Sequence, residues 1–331
     1  MTDDLAIIIV STNEARWLTP CLQTIFDHAG EIELDVVVAD NESTDGTREL
    51  VEREFPRARV VTCENRGFAH ANNRGLMTTD ARYVLFLNPD TEILSGTLEE
   101  LVRAMDERPE VGLAGARQVT ADGQLFPTIR RFPNALRLLG DALGAERLPH
   151  RPGWLGEREL ELARYDEEVA CDWTSGSFLF TRREALESAG YLDERFFIYS
   201  EETDLCLRIK RAGWEVRHLP AMTILHHAEK AGINPKMTAQ DVFTRLQYAG
   251  KNYSPVHRGL NFSVLALRYL TRAVPLGANG AARSAASRRA LRILFGLDAP
   301  PFGEPPRQAV APHSPSATPQ AELRRVSSAR R

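Results

Sequence analysis

The stretch Tyr83-Val84-Leu85-Phe86-Leu87-Asn88-Pro89-Asp90-Thr91-Glu92 decides the fold. Its apolar run stops abruptly at Asn-Pro-Asp. A short run of this kind reads as a strand buried on both faces. Pro89 has no N–H and a fixed φ, so the strand ends there. Asp90 then stands at the carboxyl end of a central strand, where open α/β sheets bind ligands. A carboxylate there suits Mg²⁺ or Mn²⁺ held against a diphosphate. Asn, Pro and Asp are also common turn residues, so the stretch alone leaves a plain turn open.

Its surroundings weigh toward a site. Residues 5–10 (LAIIIV) end at Ser11-Thr12-Asn13-Glu14, and residues 34–39 (LDVVVA) end at Asp40-Asn41-Glu42. Residues 58–62 run into Glu64-Asn65-Arg66-Gly67. Between strands the apolar positions follow helical spacing, as in Trp17, Leu18, Cys21, Leu22 and Ile25. Four alternations of strand and helix call for a parallel sheet covered on both faces. Each strand ends in polar residues: Ser11 and Asn13, Asp40 and Asn41, Asn65 and Arg66, Asn88 and Asp90. One polar loop merely solvates a strand end; four at corresponding ends favour a site. No strand is followed by G-x-G-x-x-G, which counts against a dinucleotide-binding Rossmann domain.

The 331 residues suffice for one large domain or two small ones, at about 100–200 residues each. Cys21, Cys63, Cys171 and Cys206 include no C-x-x-C pair. That argues against a zinc site or a disulfide framework and fits a reducing cytoplasm. The opening Met-Thr-Asp-Asp lacks a basic region, so no signal peptide is expected. No apolar run reaches the roughly 18 residues of a membrane span. Charge divides unevenly. The first 255 residues carry 29 Lys+Arg against 42 Asp+Glu, and the remainder 12 against 3. A basic tail on an acidic body suits an anionic surface, membrane or nucleic acid.

Taken together, IIIVSTNE, VVVADNESTDGT, ENRGFAHANNRG, FLNPDTE, WTSGSFLFTRREALESAGYLDERFFIYSEETDLCLRIKRAGW and ILHH, in that order from Leu5 to His227, carry a resemblance. The chain resembles a family 2 inverting glycosyltransferase of the GT-A fold. Its LNPD and LDERFF forms are similar to members labelled rhamnosyltransferases. The resemblance implies an α/β, Rossmann-like mixed sheet flanked by helices, with a C-terminal helical extension. It also implies a UDP- or dTDP-sugar donor and a glycan or lipid-linked acceptor. Asp40 would accept from the N3–H of uracil or thymine, a sound pairing because a carboxylate only accepts. Ser11, Asn13, Asn65, Arg66, Asn72 and Asn88 would line the donor. Asp90 matches the last acid of the family's Asp-x-Asp metal motif, and His226 the histidine that completes the metal or diphosphate site. Asn88 replaces the motif's first acid, which removes one negative charge from the metal.

Residues 112–118 read as a further strand, with a hairpin-like turn at Ala121-Asp122-Gly123-Gln124. Residues 126–168, rich in Pro, read as a long, partly mobile excursion, acceptor-binding or ornamental. Residues 172–180 read as a strand on the family's acceptor side. Gly176 there admits close approach, and Trp173 either stacks on a sugar or fills the core. Glu201, Glu202 and Asp204 open a helix that Gly213 closes. Acids in a first helical turn are expected from the dipole alone. Helical spacing sets Glu202 with Leu205, Cys206 and Ile209, hence inward, and Glu201 with Asp204 and Arg208 on a more polar side. Matching to the family's acidic pair also places the catalytic base at Glu202, with Glu201 beside it and Asp204 on the acceptor side.

Three regions follow: a catalytic domain over 1–255, a basic amphipathic segment over 256–298 and a disordered Pro-rich tail over 299–331. Residues 237–253 read as a surface helix. Leu260, Val264, Leu267, Leu270 and Val274 form an apolar stripe among seven Arg and no acid between Arg258 and Arg292. The stripe either meets an anionic membrane or packs on the body. Nucleic acid is not expected, because no aromatic platform accompanies the arginines. The expected protein is a metal-dependent sugar transferase of cell-envelope glycans, in the cytoplasm or peripheral on the inner face of the membrane. A non-catalytic nucleotide-sugar binder and a sugar nucleotidyltransferase are the alternatives. Asn88 keeps the first open. Against the second stands Ser11-Thr12-Asn13-Glu14, which lacks that class's glycine-rich basic loop.

Overall fold

The computed structural model describes residues 4–145, 148, 152–227, 233–275 and 279–303. Four parallel strands come first: β1 (Leu5–Ser11), β2 (Leu34–Asn41), β3 (Ala58–Cys63) and β4 (Tyr83–Leu87). They lie in the order β3-β2-β1-β4. Every residue of β1 and β4 is buried, because helices cover both faces. Successive side chains of a strand point to opposite faces. Leu5, Ile7 and Ile9 accordingly meet α1 (Ala15–Asp27), α2 (Thr47–Glu54) and α4 (Leu98–Asp106). Ala6, Ile8 and Val10 meet the core of α3 (Phe68–Leu76), α6 (Arg183–Ala189) and α7 (Glu201–Arg211). The chain steps outward from β1 to β3 and then returns to β1's other side as β4. That reversal opens a crevice at the carboxyl ends of β1 and β4, the usual ligand position in such sheets.

Beyond β4 the sheet is mixed. β8 (Phe178–Arg182) runs antiparallel to β4 and to β6 (Val111–Val119). β9 (Glu215–His226) runs parallel to β6. β5 (Thr91–Ser95), where no strand is expected, pairs antiparallel with β9 and sets Thr91 opposite His226. β7 (Val169–Ala170) also pairs with β9. The strand expected over 172–180 begins only at Phe178. Before it, Trp173 forms an isolated bridge to Arg130.

The described part of the 126–168 stretch is anchored rather than a loose excursion. It carries α5 (Ala135–Ala142), and the buried Tyr165 hydroxyl accepts from Ile129 N–H and donates to Glu159 C=O.

Three helices follow: α8 (Pro235–Asn252), α9 (Pro255–Arg272) and α10 (Gly280–Leu294). Asn234 and Ser254 cap α8 and α9, each followed by a proline at the first helical position. The helices share a core of Ala239, Val242, Leu265, Tyr269, Ala290 and Ile293. α8 is therefore an interior element of a helical unit, not a surface helix. α9 packs through Asn261, Leu265 and Tyr269, which leaves the expected stripe outside. Of the expected stripe, Leu260, Leu267, Leu270 and Val274 are all at least 48% exposed, as is Val256, while Val264 is half-buried. Packing on the body thus uses the opposite face of α9.

Among the described residues no helix is long and apolar enough to cross a membrane. Of the tail expected to be disordered, residues 304–331 lie outside the described residues. The part just before them is packed: the Phe302 ring stacks on Phe197 at 4.3 Å and lies 3.9 Å from Lys236 Nζ.

Candidate active site

The crevice is walled by loops that hold one another. Asn41 Nδ2 donates to Thr12 Oγ1 at 3.1 Å and to Asn65 Oδ1 at 3.0 Å, tying the ends of β1, β2 and β3. Asp40 is buried at the end of β2, and its Oδ1 accepts from Ser43 N–H at 3.1 Å. Ser11 is buried with an unpartnered Oγ. Arg66 is exposed beside Asn65. Two of the residues expected at the donor are also hydrogen-bonded within the protein. Asn13, with φ 58°, gives its Oδ1 to Thr44 N–H at 2.7 Å, so it braces two loops. Asn72 is fully enclosed in α3, its amide donating to Phe68 C=O and its Oδ1 buried without a hydrogen-bond partner.

Gly67 introduces α3 with φ +103°, and an added Cβ would lie 2.3 Å from Phe197 O. No side chain fits there. Phe197 C=O also accepts from Phe68 N–H at 2.7 Å.

At the foot of the crevice, Asp90 Oδ1 lies 3.4 Å from His226 Nε2. The β5–β9 pairing brings them together, and His227 N–H donates to Asp90 C=O at 2.9 Å. His226 Nδ1 is buried without a partner. Asn88, on the crevice side of Pro89, has its N–H on Ser177 C=O and its C=O on Thr91 Oγ1. Among the described residues no cluster of three or more His, Cys, Asp or Glu could hold a metal by itself. Asp90 and His226 fit a cation that takes its remaining ligands from a diphosphate and water, the usual arrangement for Mg²⁺.

Across from them α7 begins at Glu201, immediately after Tyr199 (φ 72°) and Ser200 (φ 70°). Two successive non-glycine residues in the left-handed region are strained, and such strain gathers at functional sites. Glu202 lies against Gly176, where an added Cβ would stand 3.6 Å from Glu202 Cβ. It lines a cavity of about 100 Å³ together with Trp173, Tyr199, Arg245 and Tyr253. Oε2 of Glu202 and Oε2 of Glu201 are both buried and unpartnered. Burial pushes the Glu202 carboxyl above its ordinary range, partly offset by backbone amides, Arg130 and Arg245. Burial and the neighbouring Glu202 push Glu201 well above that range.

Glu201 is only 4% exposed and is thus the more enclosed of the pair, opposite to the expectation from helical spacing. The side of α7 read as polar is the one α8 covers. Asp204, expected on the acceptor side, is fully buried there. It accepts from Arg208 at 2.7 Å, Lys251 at 2.7 Å and Asn252 at 3.1 Å. It serves as a structural anchor. Trp173 is 8% exposed and donates to Arg131 C=O, while the Arg130 guanidinium sits 5.2 Å over its ring. It is both a cavity wall and a core residue.

Arg130 and Arg245 were missed in the sequence. Burial draws Arg130 down to about 10. Arg245 is held by Asp241 and Glu157, both at 3.1 Å. The i,i+4 pair Asp241–Arg245 was a readable signal; nothing set Arg130 apart from the arginines around it.

Sheet order, crevice and acidic helix start together define a GT-A glycosyltransferase. The chain belongs to the family described as Glycosyl transferase family 2, whose profile matches residues 6–187. It is 32% identical over 248 residues to the N-acetylglucosaminyl-diphospho-decaprenol L-rhamnosyltransferase of Mycobacterium tuberculosis (strain CDC 1551 / Oshkosh), covering 71% of this chain and 80% of that one. It is 23% identical to rhamnosyltransferase WbbL of Escherichia coli (strain K12), covering 67% and 83%. The solved mannosyltransferase PcManGT from Pyrobaculum calidifontis, in complex with GDP-Man and Mn²⁺, superposes with a TM-score of 0.54. That likeness has 17% identity and covers 90% of this chain and 89% of that one.

Proposed function

We propose that this glycosyltransferase moves a deoxyhexose of the rhamnose type from a uridine or thymidine diphosphate sugar to a lipid-linked saccharide of the cell envelope, with inversion. The observation that carries the mechanism is the placement of Glu202, partly buried against Gly176, with an unpartnered oxygen and a raised pKa. A carboxylate poised near the working pH can take a hydroxyl proton. In one displacement, the acceptor hydroxyl loses its proton to Glu202 and its oxygen bonds to the anomeric carbon. The bond from that carbon to the diphosphate breaks on the opposite face, and the electron pair leaves with the diphosphate. Asp40 orients the base and Asp90 with His226 holds the diphosphate end. A divalent cation, Mg²⁺ or Mn²⁺, supplies Lewis-acid stabilisation of the leaving diphosphate when bound.

The names of the two rhamnosyltransferase relatives support the sugar, and the first of them supports a prenyl-diphosphate-linked acceptor. The exposed apolar row of α9 supports contact with the membrane that holds such an acceptor. A donor panel tests the reading. Transfer from dTDP-rhamnose to a prenyl-diphosphate-linked N-acetylglucosamine, with a changed anomeric configuration in the product, is the expected result. Hydrolysis or transfer confined to a guanosine diphosphate sugar would overturn it.

A further inference from the structure

The cavity of about 100 Å³ that Glu202 lines is assembled from distant parts of the chain. Trp173 and Glu202 come from the sheet domain, Tyr248 from α8, and Asn261, Phe262 and Leu265 from α9. Arg245, Asp241 and Glu157 in its wall hold one another, the arginine standing 3.1 Å from each acid. Asn261 has no such arrangement. It is 4% exposed, and its Oδ1 is buried without a hydrogen-bond partner among the described residues. An amide oxygen left unpaired in the interior is costly, and an N–H from a ligand would satisfy it. The rings of Trp173, Tyr248 and Phe262 and the side chain of Leu265 give the same cavity an apolar wall.

Size narrows the ligand. Pockets that take a whole small molecule run to roughly 300–1,000 Å³. A cavity of roughly 150 Å³ takes a benzene ring, so this one has room for about four non-hydrogen atoms. A sugar ring does not fit, but one substituent of a sugar does. An acetamido group has that size, an N–H to donate to Asn261 and a methyl for the apolar wall. Glu202 lines the same cavity and has an unpartnered Oε2 of its own, so a substituent seated here sets its sugar beside the proposed base. We infer that this cavity is an acetamido subsite, and that Asn261 of α9 selects an acceptor whose sugar carries an acetamido group over one carrying a hydroxyl in its place. The inference rests on the acceptor reading above.

The first test needs neither transfer nor a substitution. The full chain is saturated with thymidine diphosphate and titrated with methyl glycosides, binding being followed by NMR. Methyl N-acetylglucosaminide binds about tenfold or more tightly than methyl glucoside, the scale of one buried hydrogen bond. The N-butanoyl analogue, too long for the cavity, loses most of that advantage. Asn261→Leu abolishes the preference for the acetamido sugar, and retained binding of thymidine diphosphate shows that the variant is folded. Equal binding of the acetamido and hydroxyl sugars by the wild type, no binding of either, undiminished binding of the N-butanoyl analogue, or a preference that survives in folded Asn261→Leu overturns the inference.

Transfer from dTDP-rhamnose separates this inference from the reading beneath it. The wild type favours prenyl-diphosphate-linked N-acetylglucosamine over prenyl-diphosphate-linked glucose in kcat/KM, and Asn261→Leu narrows the gap. Transfer to both at equal kcat/KM overturns the acetamido subsite and leaves the transfer reading standing. A binding preference that follows Asn261, in a chain that transfers to neither, supports the subsite and sinks the proposed transfer reaction instead.

Discussion

His226 Nε2 stands 3.4 Å from Asp90 Oδ1 although the two are far apart in sequence, because β5 turns back from Asp90 and pairs with the end of β9. In the proposed reading these two side chains would form an open half-site for a divalent cation that a diphosphate completes. Asp90→Ala should therefore abolish stimulation by Mn²⁺ and lower kcat about a hundredfold or more, the scale of losing one electrostatic stabiliser. Asn88→Asp restores a negative charge beside it and should lower the Mn²⁺ concentration for half-activation. Full activity of Asp90→Ala in chelator would refute the assignment.

Glu202→Gln should lower kcat by about 10²–10⁴-fold, the span of general-base catalysis, with donor Kd nearly unchanged. Because its carboxyl pKa is raised, the wild-type rate should climb with pH through a limb above the ordinary glutamate range. Glu201→Gln should cost little activity and should stabilise the fold. A carboxyl whose folded pKa is raised penalises folding once pH exceeds its unfolded value, and the penalty is complete above the folded pKa. The gain in Tm for Glu201→Gln should accordingly be absent near pH 4 and grow toward pH 8. A dead Glu201→Gln with a normal Glu202→Gln would shift the base by one residue.

Nucleotide preference tests Asp40. Calorimetry should show uridine and thymidine diphosphates binding more tightly than guanosine diphosphate, since a carboxylate accepts from the N3–H those bases present. Asp40→Asn should erase most of the difference. Tighter binding of guanosine diphosphate to the wild type would refute the role.

The apolar row on α9 makes a membrane prediction. Leu267→Glu/Leu270→Glu should release the protein from anionic vesicles in sedimentation while leaving Tm nearly unchanged, since both side chains are about half exposed. High salt should weaken the binding of the wild type. Sedimentation unaffected by the double substitution would exclude this face.

Lys251 joins α8 to the sheet domain, donating to Asp193 and Asp204 at 2.7 Å each. Burial works against the Asp193 charge, but Arg195 and Lys251 hold its carboxyl below the usual range. Lys251→Met should destabilise the protein by about 1.5–3 kcal/mol, the scale of lost hydrogen bonds to charged groups, since Arg195 and Arg208 still compensate the two carboxylates. Chemical denaturation measures it. The Asp193 contribution should persist above the ordinary aspartate range and fade only as pH falls through its depressed value.

Much of this was legible in the sequence, for identifiable reasons. Continuous aliphatic runs such as LAIIIV can only be strands covered on both faces, so the parallel half of the sheet and its ligand end followed directly. Periodicity was weaker where docking decides the outcome. It fixes the angle between Glu201 and Glu202 but not which arc of α7 a remote helix will cover, and α8 covered the arc that read as polar. It found the stripe on α9 but not that the opposite face would pack. β5 is five residues at a sheet edge, too short for alternation to stand out from a turn. Arg130 and Arg245 act on the Glu202 charge from distant segments, a relation no local pattern encodes.

The contact of Gly67 with Phe197 bears on how such enzymes can be rebuilt. Phe197 holds the entry to α3, next to the loop proposed to meet the donor, and lies just ahead of the strained Tyr199–Ser200 pair that launches α7, the helix proposed to meet the acceptor. One backbone carbonyl is thus shared by the two proposed halves of the site. A chimera that imports a relative's 64–75 loop to change the sugar must import that relative's 196–202 segment with it. Exchanging donor and acceptor specificity as separate modules would leave the imported loop without its seat.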